Sequence, residues 1–245
     1  MARTAFDPDQ FEEAYPPGIE RSWWHTARNR VIASAFAAHV PHGSRILEVG
    51  CGTGIVTAHL RSRGWDTWGA DLGEPTSGLH AREHLMLGTN ALELPANVRQ
   101  GFQALALFDV IEHVADAPAF LRELLRAFPN ARHVVVTVPA RQELWTSFDD
   151  HFGHFRRYDR ALLRNEFAAA GLTTVRAGYF FHGVYPAIAL NNLVRGRKRN
   201  VRFSAPAPGA VSAVHGLLGA LFALESRILP GSWPGSSLIG VGLRA

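Results

Sequence analysis

Apolar residues recur at helical spacing near the start of the chain. Trp24, Ala27, Val31, Ile32, Ala35 and Phe36 fall on one face between Glu20 and His39, and Pro41 and Gly43 end the pattern, which predicts an amphipathic helix. The period then changes. Arg45 to Val49 reads as a short strand, Gly50 to Gly54 as a tight turn, Ile55 to Arg63 as a helix stopped by Gly64, and Trp65 to Ala70 as a second strand ending at Asp71. His84 to Leu87 and Gln103 to Val110 predict a third and fourth strand. Asp116 caps a helix running to Phe128, and His133 to Val138 is a buried fifth strand closed by Pro139. Asp159 caps a helix to Ala170, with Gly171 as its stop, before a strand from Thr173 to Phe180.

This alternation is that of an α/β chain with a doubly wound, mostly parallel seven-stranded sheet and helices on both faces. The link after Asp71 is broken by Gly73, Pro75 and Gly78 and is too short for a regular crossover helix. Beyond Phe181 the pattern dissolves until Ser236 to Leu243 resumes strand character, so Phe181 to Gly235 is expected to be an inserted helical cap before the last strand. Within it Val214, Leu217, Leu218, Leu221 and Phe222 repeat at helical spacing, with Gly216 and Gly219 allowing close approach. The expected division is an N-terminal helical lid over 1–44, a core over 45–180, the cap over 181–235 and a final core strand over 236–245. Pro186, Asn191, Asn192 and His215 interrupt the two apolar stretches of the cap, so no membrane-spanning helix is expected.

With 245 residues and 47% hydrophobic content the chain can fill such a core without covalent staples. A single cysteine, Cys51, excludes an internal disulfide and a cysteine-based zinc site and suits a reducing, cytoplasmic setting. The net charge of +4 comes almost wholly from arginine, since Lys198 is the only lysine. Basic residues cluster only at Arg195, Arg197, Lys198, Arg199 and Arg202. Elsewhere they alternate with acids, unlike a stripe that tracks nucleic acid, so no nucleic-acid partner is expected. Asp7, Asp9, Glu12 and Glu13 stand where a secretory signal would carry a basic start and an apolar run.

The run from Ile46 to Gly54 places small residues where a strand turns into a helix, so a ligand is expected to approach bare backbone amides there. Its glycines alternate at 50, 52 and 54, which disfavours the G-x-G-x-x-G spacing of dinucleotide enzymes, and Glu48 precedes them. Two carboxylates, Glu48 and Asp71, suit a cationic, ribose-bearing ligand. Together they resemble motif I of the class I S-adenosylmethionine-dependent methyltransferases. Asn90-Ala91-Leu92-Glu93-Leu94-Pro95 is similar to that family's D-A-x-x-L-P segment, and Phe108-Asp109-Val110-Ile111-Glu112-His113 to the strand-four ending of its quinone-biosynthesis and natural-product branches.

The resemblance covers Arg45 to Pro139. It implies a Rossmann-like fold, S-adenosylmethionine as cofactor, and in-line methyl transfer to a small-molecule or lipid-linked acceptor. It assigns Asp71 to the ribose hydroxyls, Glu48 to the glycine turn or the ligand's ammonium, and Gly50, Cys51 and Gly52 to the turn itself. Asn90, where the family usually has Asp, keeps an acceptor for the adenine amino group beside Ala91. Phe108 offers a flat apolar contact, with Asp109 following it. Near the N-terminus Tyr15, Trp23, Trp24 and Arg28 resemble a tryptophan-rich first helix lying over the cofactor, where Arg28 would pair with the methionine carboxylate or else be a surface arginine. Gln103, in place of a frequent Asp, is given no function.

Displacement at a sulfonium needs alignment more than a base. For a hydroxyl or protonated amine acceptor, His113 after strand four and His154 after strand five are the candidate proton acceptors, although His113 also suits a helix-capping role. His151, His154, Arg156, Arg157 and Tyr158 resemble a G-H-x-R-x-Y segment of related enzymes, which adds Tyr158 to the catalytic candidates. Metal ligands would have to come from Asp149, Asp150, His151 and His154, and Gly153 between the histidines breaks a regular helix, so no metal is expected. The same cofactor site would also serve another sulfonium reaction or a non-catalytic scaffold. The apolar cap must bury against the core, a second subunit in a homodimer, or a lipid surface, with residues 195–202 touching anionic lipid, a phosphorylated acceptor or only water.

Overall fold

The computed structural model describes residues 8–199 and 203–244. Asp7 and Arg202 lie outside them. The chain opens with α1 (Pro8–Ala14) and α2 (Trp23–His39), then builds seven strands: β1 (Arg45–Val49), β2 (Asp66–Ala70), β3 (Leu85–Met86), β4 (Ala104–Phe108), β5 (His133–Pro139), β6 (Leu172–Phe180) and β7 (Ser237–Arg244). Between them run α3 (Ile55–Arg61), α4 (Ala96–Arg99), α5 (Ala117–Ala127), α6 (Ser147–His151), α7 (Arg160–Ala169), α8 (Val184–Arg195) and α9 (Ala210–Ile228). The sheet order is β3-β2-β1-β4-β5-β7-β6. The first five strands are parallel, and β7 enters antiparallel between β5 and β6. The mostly parallel sheet expected of a Rossmann-like chain is therefore present.

Strand alternation divides the core in two, because successive side chains point to opposite faces. On one face Leu47, Leu105, Leu107, Val134 and Val136 pack with Leu121 and Leu124 of α5 and Phe167 of α7. On the other Ile46, Ala104, Ala106 and Val135 meet Ile32 and Phe36 of α2 and Leu60 of α3. Both faces being covered explains why β4 and β5 read as unbroken apolar runs.

Several boundaries move for local reasons. Ser22, accepting from the His25 amide, starts α2 at Trp23, and Glu20 belongs to a preceding 3-10 turn. β4 is shorter than predicted at both ends: the Gln103 side chain bonds the Arg45 amide at 2.7 Å before it, and Asp109 turns through left-handed backbone after it. β3 is two residues long, and the broken link before it contains only a 3-10 turn. α1 was not foreseen.

The cap segment forms two helices. One of them, Ala210–Ile228, carries the helical spacing predicted from Val214 to Phe222; contrary to the expectation that His215 interrupts the apolar stretch, it is long and apolar enough by length and composition to cross a membrane. His215 lies within it, with Nδ1 accepting from the Trp23 amide at 3.2 Å. The helix lies along α2. A Cβ on Gly219 would come within 2.8 Å of the Thr26 side chain, and Phe222 packs against Trp23 with ring centroids 5.0 Å apart.

Candidate active site

The carboxyl ends of β1, β2 and β4 open into a cleft of roughly 850 Å³, counting its mouth. Gly50, Gly52, Asp71, Asn90, Ala91, Phe108, Asp109 and His113 all line it, with Phe11 and Tyr15 closing it from the N-terminal side. Past the same edge of the sheet, Asp109, Arg141 and Phe181 leave β4, β5 and β6 through left-handed backbone, with φ of 57°, 70° and 60°. Non-glycine residues rarely adopt such angles without a constraint from their surroundings.

The glycine turn works differently from the expectation. Gly50 and Gly54 have φ of 75° and 81°, and added Cβ atoms would sit 2.7 Å from the Val110 side chain and 2.5 Å from the His80 carbonyl. The amides, however, are not bare. Gly50 and Cys51 donate to the Ala70 carbonyl, Gly54 to the Cys51 carbonyl, and Gly52 to the Asp71 carboxylate. The turn therefore offers a ligand room, and its anion-binding capacity is already used by the protein.

Asp71 is the hub of this wall. Its Oδ2 accepts from the Gly52 amide and its Oδ1 from the Gly73 amide, both at 2.7 Å, and burial holds its pKa above the usual value against those two bonds. A carboxylate accepts about four hydrogen bonds, so acceptor capacity remains toward the cleft. Asn90 Oδ1 accepts from the Leu92 amide at 3.1 Å, capping the 3-10 turn that carries Ala91.

Of the two roles predicted for Glu48, its position suits the one at the glycine turn. Buried under the turn, its Oε2 accepts from the Thr57 hydroxyl at 2.5 Å, and burial pushes its pKa to about 7. It holds the turn to α3 and does not line the cleft. Cys51 is likewise buried, its thiol raised first by burial, and it packs on Gly69.

Arg28 is a buried residue and not a surface one. Its Nη2 meets Asp109 Oδ2 at 2.5 Å, and its guanidinium lies 4.8 Å from the Trp24 ring and 5.7 Å from Phe108. Burial raises the Asp109 pKa and the Arg28 charge opposes the rise. The Arg28 Nε has no protein acceptor. Tyr15 stands over Gly52, and burial raises its phenol.

A second polar cluster flanks the mouth. Asp149 is buried; its Oδ1 accepts from His154 Nδ1 at 2.8 Å, and both its oxygens accept from Arg157, at 2.8 and 3.0 Å. Burial alone would raise its pKa, but the bonds from His154 and Arg157 outweigh it and hold the carboxyl at about 2. The His113 ring meets His154 edge-on at 4.6 Å, and burial lowers its pKa to about 4. Tyr158 is not brought to the cleft. Fully buried, its hydroxyl donates to Glu166 at 2.9 Å, which gives it a packing role.

The donors proposed for a metal do not converge either, since Asp149 is taken by Arg157 and His151 pairs with Glu13 at 2.8 Å. The donor atoms that do converge, within 4.8 Å of one another, belong to Glu112, His113 and His154, a mixed oxygen and nitrogen set of the kind that suits a divalent transition metal. Both Glu112 oxygens are buried without a hydrogen-bond partner. The sequence signalled Glu112 only as part of a motif. Nothing in it marked Asp149 as the anchor of His154 or Asp109 as the partner of Arg28, because these pairings depend on how loops from different strands meet.

A family model described as a methyltransferase domain matches residues 23–177. The ubiquinone biosynthesis O-methyltransferase of Cereibacter sphaeroides is 35% identical over 94 residues, which is 34% of this chain and 38% of that protein. The match thus spans less than half of that relative. A possible histamine N-methyltransferase from Thermotoga maritima, described as S-adenosylmethionine-dependent, superposes with a TM-score of 0.59 at 15% identity over 96% of this chain and 98% of that one. The magnesium protoporphyrin IX methyltransferase of Synechocystis, solved with bound S-adenosylmethionine, gives 0.54 at 13% identity over 97% and 90%. At such identities the likeness is one of fold.

Proposed function

Because the chain belongs to the methyltransferase-domain family, we propose that it binds S-adenosylmethionine in the β1–β2–β4 cleft and moves the methyl group to a small-molecule or lipid-linked acceptor. The observation that carries this reading is Asp71, a buried carboxylate aligned by two backbone amides at the wall of a cleft whose floor is the glycine turn. The residues fit the cofactor. Side chains at Gly50 and Gly54 would collide with Val110 and His80, which keeps the turn tight. The remaining acceptor sites of Asp71 suit ribose hydroxyls, and Asn90, Ala91 and Leu92 form a wall for a flat base. The Nε–H of Arg28, which has no protein acceptor, suits a carboxylate. The amides being taken argues against a pyrophosphate, which needs them free.

When bound, the cofactor supplies an electrophilic methyl group on sulfur. The protein's part is to align and to dry: Phe11, Tyr15 and Phe108 enclose the cleft, and Asp109, tied to Arg28, fixes its inner rim. His154, with Nδ1 bound to Asp149, turns its other nitrogen away from that carboxylate, so it serves an acceptor hydroxyl or amine as the proton acceptor, with His113 beside it. The lone cysteine supports a cytoplasmic setting.

Calorimetry with S-adenosylhomocysteine and NAD side by side tests the cofactor, with binding of the first alone expected. Incubation with S-adenosylmethionine and acceptor extracts tests the reaction. S-adenosylhomocysteine as product supports methyl transfer, whereas methylthioadenosine overturns it in favour of alkyl-chain chemistry.

A further inference from the structure

Charge along this chain is divided unevenly. Glu225 is the only acidic residue after Glu166, while eight basic residues follow that point, so the last third is strongly cationic and the remainder is net negative. Glu225 is itself engaged, its Oε1 accepting from the Gly183 amide at 2.6 Å. Among the described residues the same third carries most of the exposed large apolar side chains. On α9 Val211, Val214, Leu217, Leu221, Leu224 and Ile228 are all at least 49% exposed, and only Gly219 and Ala223 are buried. At the end of α8, Leu193 and Val194 are 83% and 72% exposed and run directly into the exposed Arg195, Arg197 and Lys198.

The basic segment is fastened beside the cleft mouth. The Arg197 carbonyl accepts from the Ser147 amide at 2.9 Å, and the Arg199 amide donates to the Ser147 hydroxyl at 3.0 Å. The Arg199 guanidinium lies 5.1 Å from the Phe148 ring, which is itself 6.3 Å from the His154 ring. A surface that engages this segment therefore meets the protein next to the predicted proton acceptor.

We propose that the outward face of α9, the end of α8 and the basic segment 195–199 dock on a bilayer carrying anionic headgroups. An exposed apolar helix accompanied in the same third of the chain by an exposed basic segment has the composition of an interfacial element, in which aliphatic side chains enter the acyl boundary and the cations meet phosphate. α9 lies flat because Gly219 and Phe222 seat it on α2. Charge selects this occupant over a second copy, since two copies meeting through this third would bring two cationic segments together without acids to pair them. Docking deepens the proposed reading by favouring a lipid-linked acceptor presented from the membrane, but the docking test does not depend on methyl transfer.

The test is co-sedimentation of the full chain with phosphatidylcholine vesicles and with mixed phosphatidylcholine–phosphatidylglycerol vesicles at low and high salt. Binding to the anionic vesicles that weakens with salt is expected. Arg195→Gln, Arg197→Gln and Lys198→Gln together should lower the partition coefficient on the order of 100-fold. Leu217→Glu with Leu221→Glu should abolish binding. These side chains are exposed, so melting temperature and S-adenosylhomocysteine affinity, measured in parallel, should stay unchanged and separate lost docking from lost folding. Equal binding to both vesicle types, or none to either, overturns the proposal. So does a dimer in solution that Leu217→Glu with Leu221→Glu converts to monomer, which would assign the face to a second copy.

Discussion

Asp71 accepts a hydrogen bond from the Gly52 amide at 2.7 Å, so the acid at the end of β2 and the glycine turn after β1 are one unit. Replacing Asp71 with Ala removes a brace and, on the proposed reading, a ligand partner. S-adenosylhomocysteine affinity should fall more than tenfold, as expected for charge-assisted bonds worth about 1.5–3 kcal/mol each, and the melting temperature should fall too. Asp71→Asn keeps an acceptor for one amide and should recover part of the stability but little of the affinity. Calorimetry and thermal melts read the two effects separately, and unchanged affinity in a folded Asp71→Ala protein would remove Asp71 from the site.

The Arg28–Asp109 pair links α2 to the end of β4. Arg28→Ala should destabilise the protein by about 3 kcal/mol, because it strands a largely buried carboxylate, and Arg28→Ala with Asp109→Asn should recover much of that loss. Chemical denaturation of the two variants and the parent checks it. Recovery of stability without recovery of S-adenosylhomocysteine affinity would show that Arg28 also touches the ligand.

Glu48 titrates at about 7 in the folded protein because it is buried, against about 4.3 when unfolded. The folded state then binds the proton more tightly, so this group's contribution is fully present below the unfolded value and is lost as pH rises through 7. Glu48→Gln, which cannot ionise, should gain stability relative to the parent between pH 5 and pH 8, by up to about 3 kcal/mol. Taking the difference between the two proteins cancels the buried His25 and His113, whose lowered values act in the opposite direction in both. A flat difference across this window would place the Glu48 carboxylate in contact with water.

His154→Ala should keep S-adenosylhomocysteine affinity and lose turnover by about 10²- to 10⁴-fold with a hydroxyl or protonated amine acceptor. Asp149→Asn should show a smaller loss of the same kind together with an altered pH–rate profile, since Asp149 orients His154. Single-turnover rates would decide it. Equal turnover in His154→Ala and the parent would leave alignment alone as the source of rate.

The order of strands was legible because each reported its own burial: β4 and β5 are apolar on both faces, and Asp116 and Asp159 cap their helices as predicted. The wall of the cleft was legible in part, since Gly50, Gly52, Asp71 and Asn90 sit close to strand ends that the pattern had already placed. The two roles open to Glu48 could not be separated because an acid inside a strand does not show which face it takes, and at β1 that face is closed by Thr57. Tyr158 could not be separated from its polar neighbours His154 and Arg157 without knowing that Glu166 lies one helix away beneath it. The helix α9 was legible in its spacing from Val214 to Phe222, while the length of its apolar run was obscured by His215, whose partner is a backbone amide of a helix near the other end of the chain.

The insertion of β7 between β5 and β6 also sets an order of events for the growing chain. Among the described residues β6 pairs with β7 alone, and β7 is made only after α8 and α9. Until then β5 offers an open edge and β6 has nothing to join, so a nascent chain exposes unpaired strand edges together with the most apolar helix of the molecule. The parallel half, β1 to β5, can assemble earlier around the ligand cleft. The protein should therefore mature in two stages, with the cleft preceding the surface that α9 presents, and chaperone demand should be concentrated in the interval between them.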